Sequence, residues 1–140
     1  HGAIGGTDIL IAAAAVADYQ PAAVAGQKIK KTADRLEIEL TRAPDVLASV
    51  TALKNPPFAV GFAAETEKIE EHARIKLDKK RLDMIAANHV GEGLAFDSDD
   101  NALTVLWPGG SRTLGPKSKD DLARELVVLI ADRYQQKKKG

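Results

Sequence analysis

The sequence predicts a three-layer α/β fold, in which helices flank a mostly parallel sheet and an antiparallel hairpin follows near the C-terminus. Three short apolar runs, Ile9–Val16, Phe58–Ala63 and Met84–Ala87, have the composition of strands that are buried on both faces. Segments with helical spacing of apolar residues lie between them. The order strand, helix, strand, helix, strand favours a parallel sheet with right-handed crossovers.

Composition limits the class of protein. A chain of 140 residues suits one domain, 1–140, that buries about two-thirds of its unfolded surface. The net charge is +0, from 20 basic and 20 acidic residues, so no overall field favours nucleic acid or an anionic membrane. The absence of cysteine excludes disulfides and thiolate metal sites, and it fits a reducing, cytoplasmic compartment. No apolar run approaches the ~20 residues of a membrane span.

The first half of the chain contains two predicted strands and a helix. The first strand is predicted over Asp8–Ala14, before a small-residue loop that contains Pro21; its consecutive alanines would also suit a helix, but the run is short. Leu36–Leu40 alternates apolar and charged residues, which indicates a strand with one solvent-exposed face. Pro44 fits the first turn of a helix, and apolar residues follow at helical spacing until Asn55–Pro57.

The middle of the chain continues the alternation. Phe58–Ala63 is predicted as the second buried strand. Thr66 is predicted to cap a charged helix that extends to about Lys80. Met84–Ala87 is predicted as the third buried strand, which ends at Asn88.

The sequence of the C-terminal part of the chain predicts a hairpin and a final helix. Ala102–Leu106 and Ser111–Leu114 are separated by a turn that contains Gly109 and Gly110, as in an antiparallel hairpin. Ser118 begins a capping box, and leucines then follow on one face of the helix. We expect 135–140 to be a frayed, solvated tail. The whole pattern is that of a Rossmann-like fold.

Candidate binding residues follow the first predicted strand, because ligands of open α/β sheets bind beyond the carboxyl ends of the strands. The alanines at 12–14 leave backbone groups accessible to a flat ligand. Asp18 suits a ribose hydroxyl or a metal-bound water, and equally a bond to loop amides. Lys28, Lys30 and Lys31 suit either a polyphosphate or plain solvation.

A second group of candidates surrounds the predicted helix start and the second strand. The first N–H groups after Pro44 lack partners within the helix and suit a ligand. Asp45 would repel a phosphate there, so a base edge or a sugar fits better. Phe62, at the end of its strand, suits stacking on a base or a place in the core.

Lys76 and Lys80 lie four residues apart and share one face of the predicted helix, where like charges repel. A triphosphate would relieve this repulsion; a solvated face is the alternative. On this basis, removing either lysine should leave the ligand-free stability unchanged or higher. His72 and His89 are too isolated in sequence to indicate a metal site, and no dinucleotide or P-loop glycine motif is present.

The order of these motifs resembles the phosphopantothenoylcysteine synthetase (phosphopantothenate–cysteine ligase) domain of bacteria. The resemblance covers nearly the whole chain. The segments that carry it are AAAVADYQPA (Ala13–Ala22), KIKK (Lys28–Lys31), APDVL (Ala43–Leu47), GFAAET (Gly61–Thr66), ARIKLDKKRLDMIAAN (Ala73–Asn88) and FDSDDNALTV (Phe96–Val105).

The resemblance implies a ligase of coenzyme A biosynthesis that uses CTP and Mg²⁺. Phosphopantothenate is activated as an acyl cytidylate and is then joined to cysteine. Lys28 is the implied catalytic residue, and the implied metal ligands stay unassigned. The implied CTP-binding residues are Ala12, Ala13, Ala14, Asp18, Lys28, Pro44, Asp45, Val46, Leu47, Phe62, Lys76 and Lys80.

The same resemblance implies that part of the synthetase lies outside this sequence. The family's glycine-rich amino-terminal strand–loop–helix and the asparagine of the cysteine-dependent step are not found here, and His1–Gly6 looks like a cut end. We therefore expect the CTP-binding part of a larger synthetase domain, inactive alone. The resemblance also implies a homodimer through the Ala17–Pro21 segment and a fused flavin-dependent decarboxylase, which alone would hold FMN.

Two other function classes share this architecture. A nicotinamide- or flavin-dependent oxidoreductase would have a similar sheet, but its glycine-rich fingerprint is not found in the sequence. A non-catalytic nucleotide-binding module would keep the lysines without the reaction. Titration with CTP, NAD(P) and ATP distinguishes the three classes.

Overall fold

The structure is a computed structural model that describes residues 2, 4–30, 34–89 and 100–139, with only the backbone of residues 89 and 100. Seven strands and three helices form within these ranges. In chain order they are β1 (Ile9–Ala12), β2 (Tyr19–Pro21), β3 (Leu40–Arg42), α1 (Val46–Thr51), β4 (Phe58–Glu65), α2 (Ile69–Lys79), β5 (Met84–His89), β6 (Asp100–Trp107), β7 (Gly110–Ser118) and α3 (Lys119–Lys139).

Five of the strands form one sheet in the order β1-β4-β5-β6-β7. β4 pairs in parallel with β1 and β5, whereas β6 pairs antiparallel with β5 and β7. Four of the five strands therefore run in the same direction, and β6 alone is reversed. This arrangement confirms the mostly parallel sheet and the hairpin, in which Trp107 is paired with Gly110.

Side chains alternate between the two faces of the sheet, and each face has its own helix. Ala59 and Ile85 pack with Leu77 of α2, and Val60 and Met84 pack with residues of α3 such as Leu126. The central strands are thus buried on both sides, as their uniformly apolar sequences predict. The three-layer arrangement of the prediction is confirmed.

The predicted strand at Leu36–Leu40 is wrong. Only Leu40 of this segment lies in a strand, β3, which pairs with β2 in a separate two-stranded sheet. All residues of 34–42 are exposed. An alternating pattern predicts a strand only where a core covers its apolar face, and no core of the described chain covers this one. We call residues 18–30 and 34–42 the arm.

The predicted helix and strand ends also differ from the structure. α1 is capped by Asp45, so Pro44 precedes the helix instead of lying in its first turn. The N-cap residue of α2 is Lys68, not Thr66. β1 ends at Ala12, before the predicted end, and β5 continues through Asn88 to His89.

The predicted frayed tail is wrong as well, because α3 continues to Lys139. Its start is as predicted: the Ser118 hydroxyl accepts a hydrogen bond from the backbone N–H of Asp121 at 3.2 Å. Its last turns are tied to the sheet, since Lys137 Nζ lies 2.6 Å from Asp83 Oδ1 and the Tyr134 hydroxyl donates to Asp8 Oδ1 at 2.5 Å. No helix of the described residues is both long and apolar enough to span a membrane.

Replacement of Leu77 by alanine tests the α2 layer. Leu77 is 1% exposed, so Leu77→Ala removes a fully buried side chain and should cost about 2–5 kcal/mol of unfolding free energy. Ile75→Ala on the same helix is the matched control, since Ile75 is 55% exposed and its loss should change stability by about 0.5 kcal/mol or less. Chemical denaturation measures both; equal losses would contradict the packing described.

Candidate functional site

The carboxyl ends of β4 and β5 lie side by side, and β1 ends four residues before the end of β4, opposite Gly61; we call this part of the sheet its carboxyl end. Ala12, the last residue of β1, is paired with Gly61 of β4. A Cβ at Gly61 would lie 2.8 Å from Leu82 Cδ1 and 3.3 Å from Leu47 Cδ2. Because Gly61 has no side chain, Leu47 packs directly on the sheet and holds the start of α1 beside the end of β1. Ala13 follows in an exposed loop.

Asp45 uses both carboxylate oxygens at the start of α1. Oδ1 accepts a hydrogen bond from the backbone N–H of Ala48 at 3.0 Å, and Oδ2 lies 3.0 Å from Lys80 Nζ. The Ala48 hydrogen bond, more than the ion pair with Lys80, keeps the pKa of Asp45 below its usual value. Asp45 therefore caps its own helix and holds the end of α2 against it. Val46, the first residue of the helix, is exposed.

Glu65 forms the second acidic contact, at the end of β4. Its side chain is only 11% exposed, and it contacts two basic side chains of α2: Oε1 lies 2.7 Å from Lys76 Nζ, and Oε2 lies 3.3 Å from His72 Nδ1. Burial raises the pKa of Glu65, but the contacts with Lys76 and then His72 outweigh burial, so that the pKa is lowered overall.

These contacts change the interpretation of the two lysines. Lys76 and Lys80 are each already paired with a carboxylate, from β4 and from α1 respectively. The repulsion between the two lysines is therefore offset by these carboxylates, which removes the physical basis for expecting unchanged or higher ligand-free stability after removal of either lysine. The effect of their removal on stability stays a prediction. Binding of a triphosphate by this pair stays a prediction.

Phe62 lies on the other face of the sheet from these charges. Phe58 and Val60 pack toward α3 and Ala59 toward α2, so alternation directs Phe62 to the α3 side, where it is 40% exposed. Asn88 shares this face, and its buried side-chain amide oxygen, Oδ1, has no hydrogen-bond partner among the described residues. A ligand that contacts both Phe62 and the lysines must therefore pass over the carboxyl end of the sheet.

The arm carries the remaining predicted residues. The carbonyl oxygen of Asp18 accepts a hydrogen bond from the backbone N–H of Ala43 at 2.9 Å, which joins the base of the arm to the segment just before α1. Lys28 and Lys30 are exposed in the loop between β2 and β3, and Lys31 lies outside the described residues. Neither Asp18 nor Lys28 forms an ion pair with another described residue. The base of the arm thus adjoins the segment before α1 through this backbone hydrogen bond.

The sequence reasoning did not identify the contacts of Glu65 with Lys76 and His72. The signal for His72 is its position four residues before Lys76 on the same predicted helix; the signal for Glu65 is its position at the end of a buried strand. Within the described ranges, no group of three His, Asp or Glu side chains could hold a metal ion. Mg²⁺ that is bound through phosphates takes only one or two protein carboxylates, so a group of three such side chains is not required for it.

The chain resembles known proteins over most of its length. The family model "DNA/pantothenate metabolism flavoprotein C-terminal domain" matches residues 1–134. The protein named "Coenzyme A biosynthesis bifunctional protein CoaBC" of Vibrio cholerae is 54% identical over 129 residues, which are 89% of this chain and 32% of that protein. The protein of the same name from Escherichia coli (strain K12) is 46% identical over 135 residues, 93% of this chain and 33% of that protein.

Solved structures show the same fold. The C-terminal domain of a coenzyme A biosynthesis bifunctional protein CoaBC has a TM-score of 0.72 at 30% identity, over 98% of this chain and 58% of that chain. The DNA/pantothenate metabolism flavoprotein from Streptococcus pneumoniae has a TM-score of 0.73 at 21% identity, over 94% of this chain and 66% of that chain. The chain spans about a third of the length of the curated relatives it matches.

The ion pairs of Glu65 predict a pH-dependent contribution to stability. Because the folded-state pKa of Glu65 is lowered, its contribution is present above the unfolded-state value of about 4.3 and is lost as pH falls through the lower folded-state value. Glu65→Gln should therefore lower the melting temperature at pH 7, and the difference from the parent should close at acidic pH.

The control for this prediction is Glu71→Gln, because Glu71 pairs with Lys68 on the surface, where the side chains are 60% and 66% exposed. Exposed pairs of this kind contribute little to stability. Melting curves of both variants between pH 7 and pH 3 make the comparison. A Glu65→Gln difference that stays constant with pH would contradict an ionised, paired Glu65.

Proposed function

The chain belongs to the DNA/pantothenate metabolism flavoprotein C-terminal domain family, and from this we propose that it is the CTP-binding part of a phosphopantothenate–cysteine ligase in coenzyme A biosynthesis. The observation that carries the proposal is the carboxyl end of the sheet. There the backbone after β1, the start of α1 and the cationic face of α2 lie around one region. Such a region suits a flat base with a chain of phosphates.

The proposed reaction has two steps. A carboxylate oxygen of phosphopantothenate attacks the α-phosphorus of CTP, and the bond from the α-phosphorus to the oxygen of the β-phosphate breaks. Pyrophosphate departs, and an acyl cytidylate remains. The amine of cysteine then attacks the acyl carbon, the bond to the phosphate oxygen breaks, and CMP leaves as the amine loses a proton. Mg²⁺ on the triphosphate would offset its negative charge.

We assign the residues by position. The backbone of Ala12, Ala13 and Ala14 and the first residues of α1 face the base, and Lys76 and Lys80 supply charge for the phosphates. Lys28, on the exposed loop of the arm, is the proposed catalytic residue, since an exposed lysine can meet charge that develops at the α-phosphate.

The proposal includes partners. The arm exposes several large apolar side chains, among them Tyr19 at 54%, Val24 at 90% and Leu40 at 56%. A two-stranded sheet is only marginally stable on its own, and a second copy of the chain would cover these side chains. Their exposure therefore supports the proposal of a homodimer whose interface lies near the site. Because the relatives are named bifunctional and this chain spans about a third of them, we further propose a fused flavin-dependent decarboxylase, where FMN would bind.

The remaining parts of the proposal concern extent and location. We take residues 1–140 as one CTP-binding α/β domain, part of a larger synthetase domain and inactive without the rest. A cytoplasmic location agrees with the absence of cysteine.

CTP should bind more tightly than ATP. The backbone groups after β1 and at the start of α1 would pair with a pyrimidine, and a purine would leave buried polar groups without partners, at roughly 1–3 kcal/mol for each group. Isothermal titration calorimetry with CTP, ATP and NADP⁺ measures the order of affinity. Equal affinities for CTP and ATP would remove the basis for the base assignment, and a preference for NADP⁺ would favour an oxidoreductase.

Lys28→Ala should slow formation of the acyl cytidylate more than it weakens CTP binding, because a contact made in the transition state appears in the rate. The measurement is pre-steady-state cytidylate formation in a protein that contains the complete synthetase domain. Lys54→Ala is the control, since Lys54 lies in the exposed turn before β4, at the opposite end of the sheet. If Lys28→Ala forms cytidylate at the parental rate, Lys28 is only a surface charge.

A further inference from the structure

Three basic residues repeat at intervals of four along α2 and its C-cap: His72, Lys76 and Lys80. Residues at this spacing are neighbours on one side of a helix. Each of the three contacts a carboxylate, and Glu65 binds two of them at once. His72 therefore lies on the same side of α2 as the two lysines, next to the end of β4.

The exposed fractions of the side chains show which of these groups face solvent. The Glu65 side chain is 11% exposed, whereas those of His72 and Lys76 are 45% and 47% exposed. The carboxylate thus lies beneath, against the sheet, and the two cationic groups lie above it on the solvent side. An ammonium group has three N–H donors, and one hydrogen bond to Glu65 leaves two for another acceptor.

The imidazole of His72 is held in a similar way. Glu65 occupies the Nδ1 side of the ring, so Nε2 is the atom directed away from the carboxylate. In the protonated ring Nε2 carries a second N–H donor. Glu65 therefore holds the ring of His72 and the ammonium of Lys76 from their less exposed side, and Asp45 holds Lys80 separately.

We propose that His72 and Glu65 belong to the same polyphosphate-binding site as Lys76 and Lys80. When its ring is protonated, His72 adds a third donor, through Nε2, to a linear chain of phosphates, and Glu65 is a positioning residue that holds His72 and Lys76 side by side. This inference rests on the proposed function for the identity of the nucleotide. The ligand class itself, a linear polyphosphate, follows from the row of donors.

The first experiment compares ligands that differ in phosphate number. Calorimetry with CTP, CMP and inorganic tripolyphosphate is carried out on the parent, His72→Ala and the control Lys54→Ala. We expect His72→Ala to lower the affinity for CTP and for tripolyphosphate by about fivefold or more, as for the loss of one charge-assisted hydrogen bond at a half-exposed position. The affinity for CMP should change by less than about twofold. Lys54→Ala should leave all three within about twofold.

The second experiment tests whether Glu65 acts through His72. His72→Ala is repeated in a Glu65→Gln background, where the ring loses its carboxylate partner. If Glu65 positions the ring, the cost of His72→Ala for tripolyphosphate should fall below about twofold in this background. As a spectroscopic check, the NMR signals of the His72 ring should shift on titration of the parent with tripolyphosphate.

The outcomes separate this inference from the proposed function. Equal losses of CTP and CMP in His72→Ala, or no loss of CTP, would overturn the role of His72 while CTP binding by the parent upholds the nucleotide assignment. If His72→Ala weakens tripolyphosphate binding as much in the Glu65→Gln background as in the parent, the role of Glu65 is overturned. If the parent binds tripolyphosphate through His72 but does not bind CTP, the nucleotide assignment fails and the polyphosphate site stands. A parent that binds neither overturns both.

Discussion

The parallel pairing of β4 with β1 and β5 is the constraint on which the rest of the structure depends. It directs the carboxyl ends of the three strands to the same end of the sheet, where Ala12 is paired with Gly61 and Glu65 with His89. The pairing also buries β4 on both faces, where Ala59 and Val60 are fully inaccessible. Residues that bind ligand must then lie at the strand ends, because the interior of the sheet has no space for polar side chains.

The two ends of the sheet use the same pairing of acidic and basic groups for different purposes. At the amino end, Asp8 and Asp83 hold the last turns of α3 in place. The hydrogen bond from Tyr134, and then the charge of Lys138, keep the pKa of Asp8 below its usual value. These contacts close that end of the fold with a helix.

At the carboxyl end, acidic residues of the sheet and of α1 hold cationic side chains that still face solvent. Glu65 is 11% exposed, and its partners Lys76 and His72 are 47% and 45% exposed. A carboxylate below a row of half-exposed cations fixes their positions without covering their remaining donors. Such a row can bind an anion with little further loss of side-chain freedom.

Much of this architecture follows from the sequence alone. The uncharged runs around Val60 and Ile85, the hairpin turn and the leucine-lined face of α3 are local patterns, and each of them specifies its element wherever a core covers it. The resemblance added the residue set of the site. The arm was mispredicted for a physical reason: its alternation at Leu36–Leu40 has no covering core in the described chain.

Only the tertiary structure decided which side chains meet. Sequence spacing placed Lys76 and Lys80 on one side of a helix, but it could not show that Glu65 and Asp45, from two other elements, are their partners. Alternation along β4 separates Phe62 from these charges, and the close approach of Leu47 at Gly61 sets the position of α1. The sequence determined the elements because secondary structure depends on local patterns. The contacts of the site depend on residues distant in the chain, and folding alone brings them together.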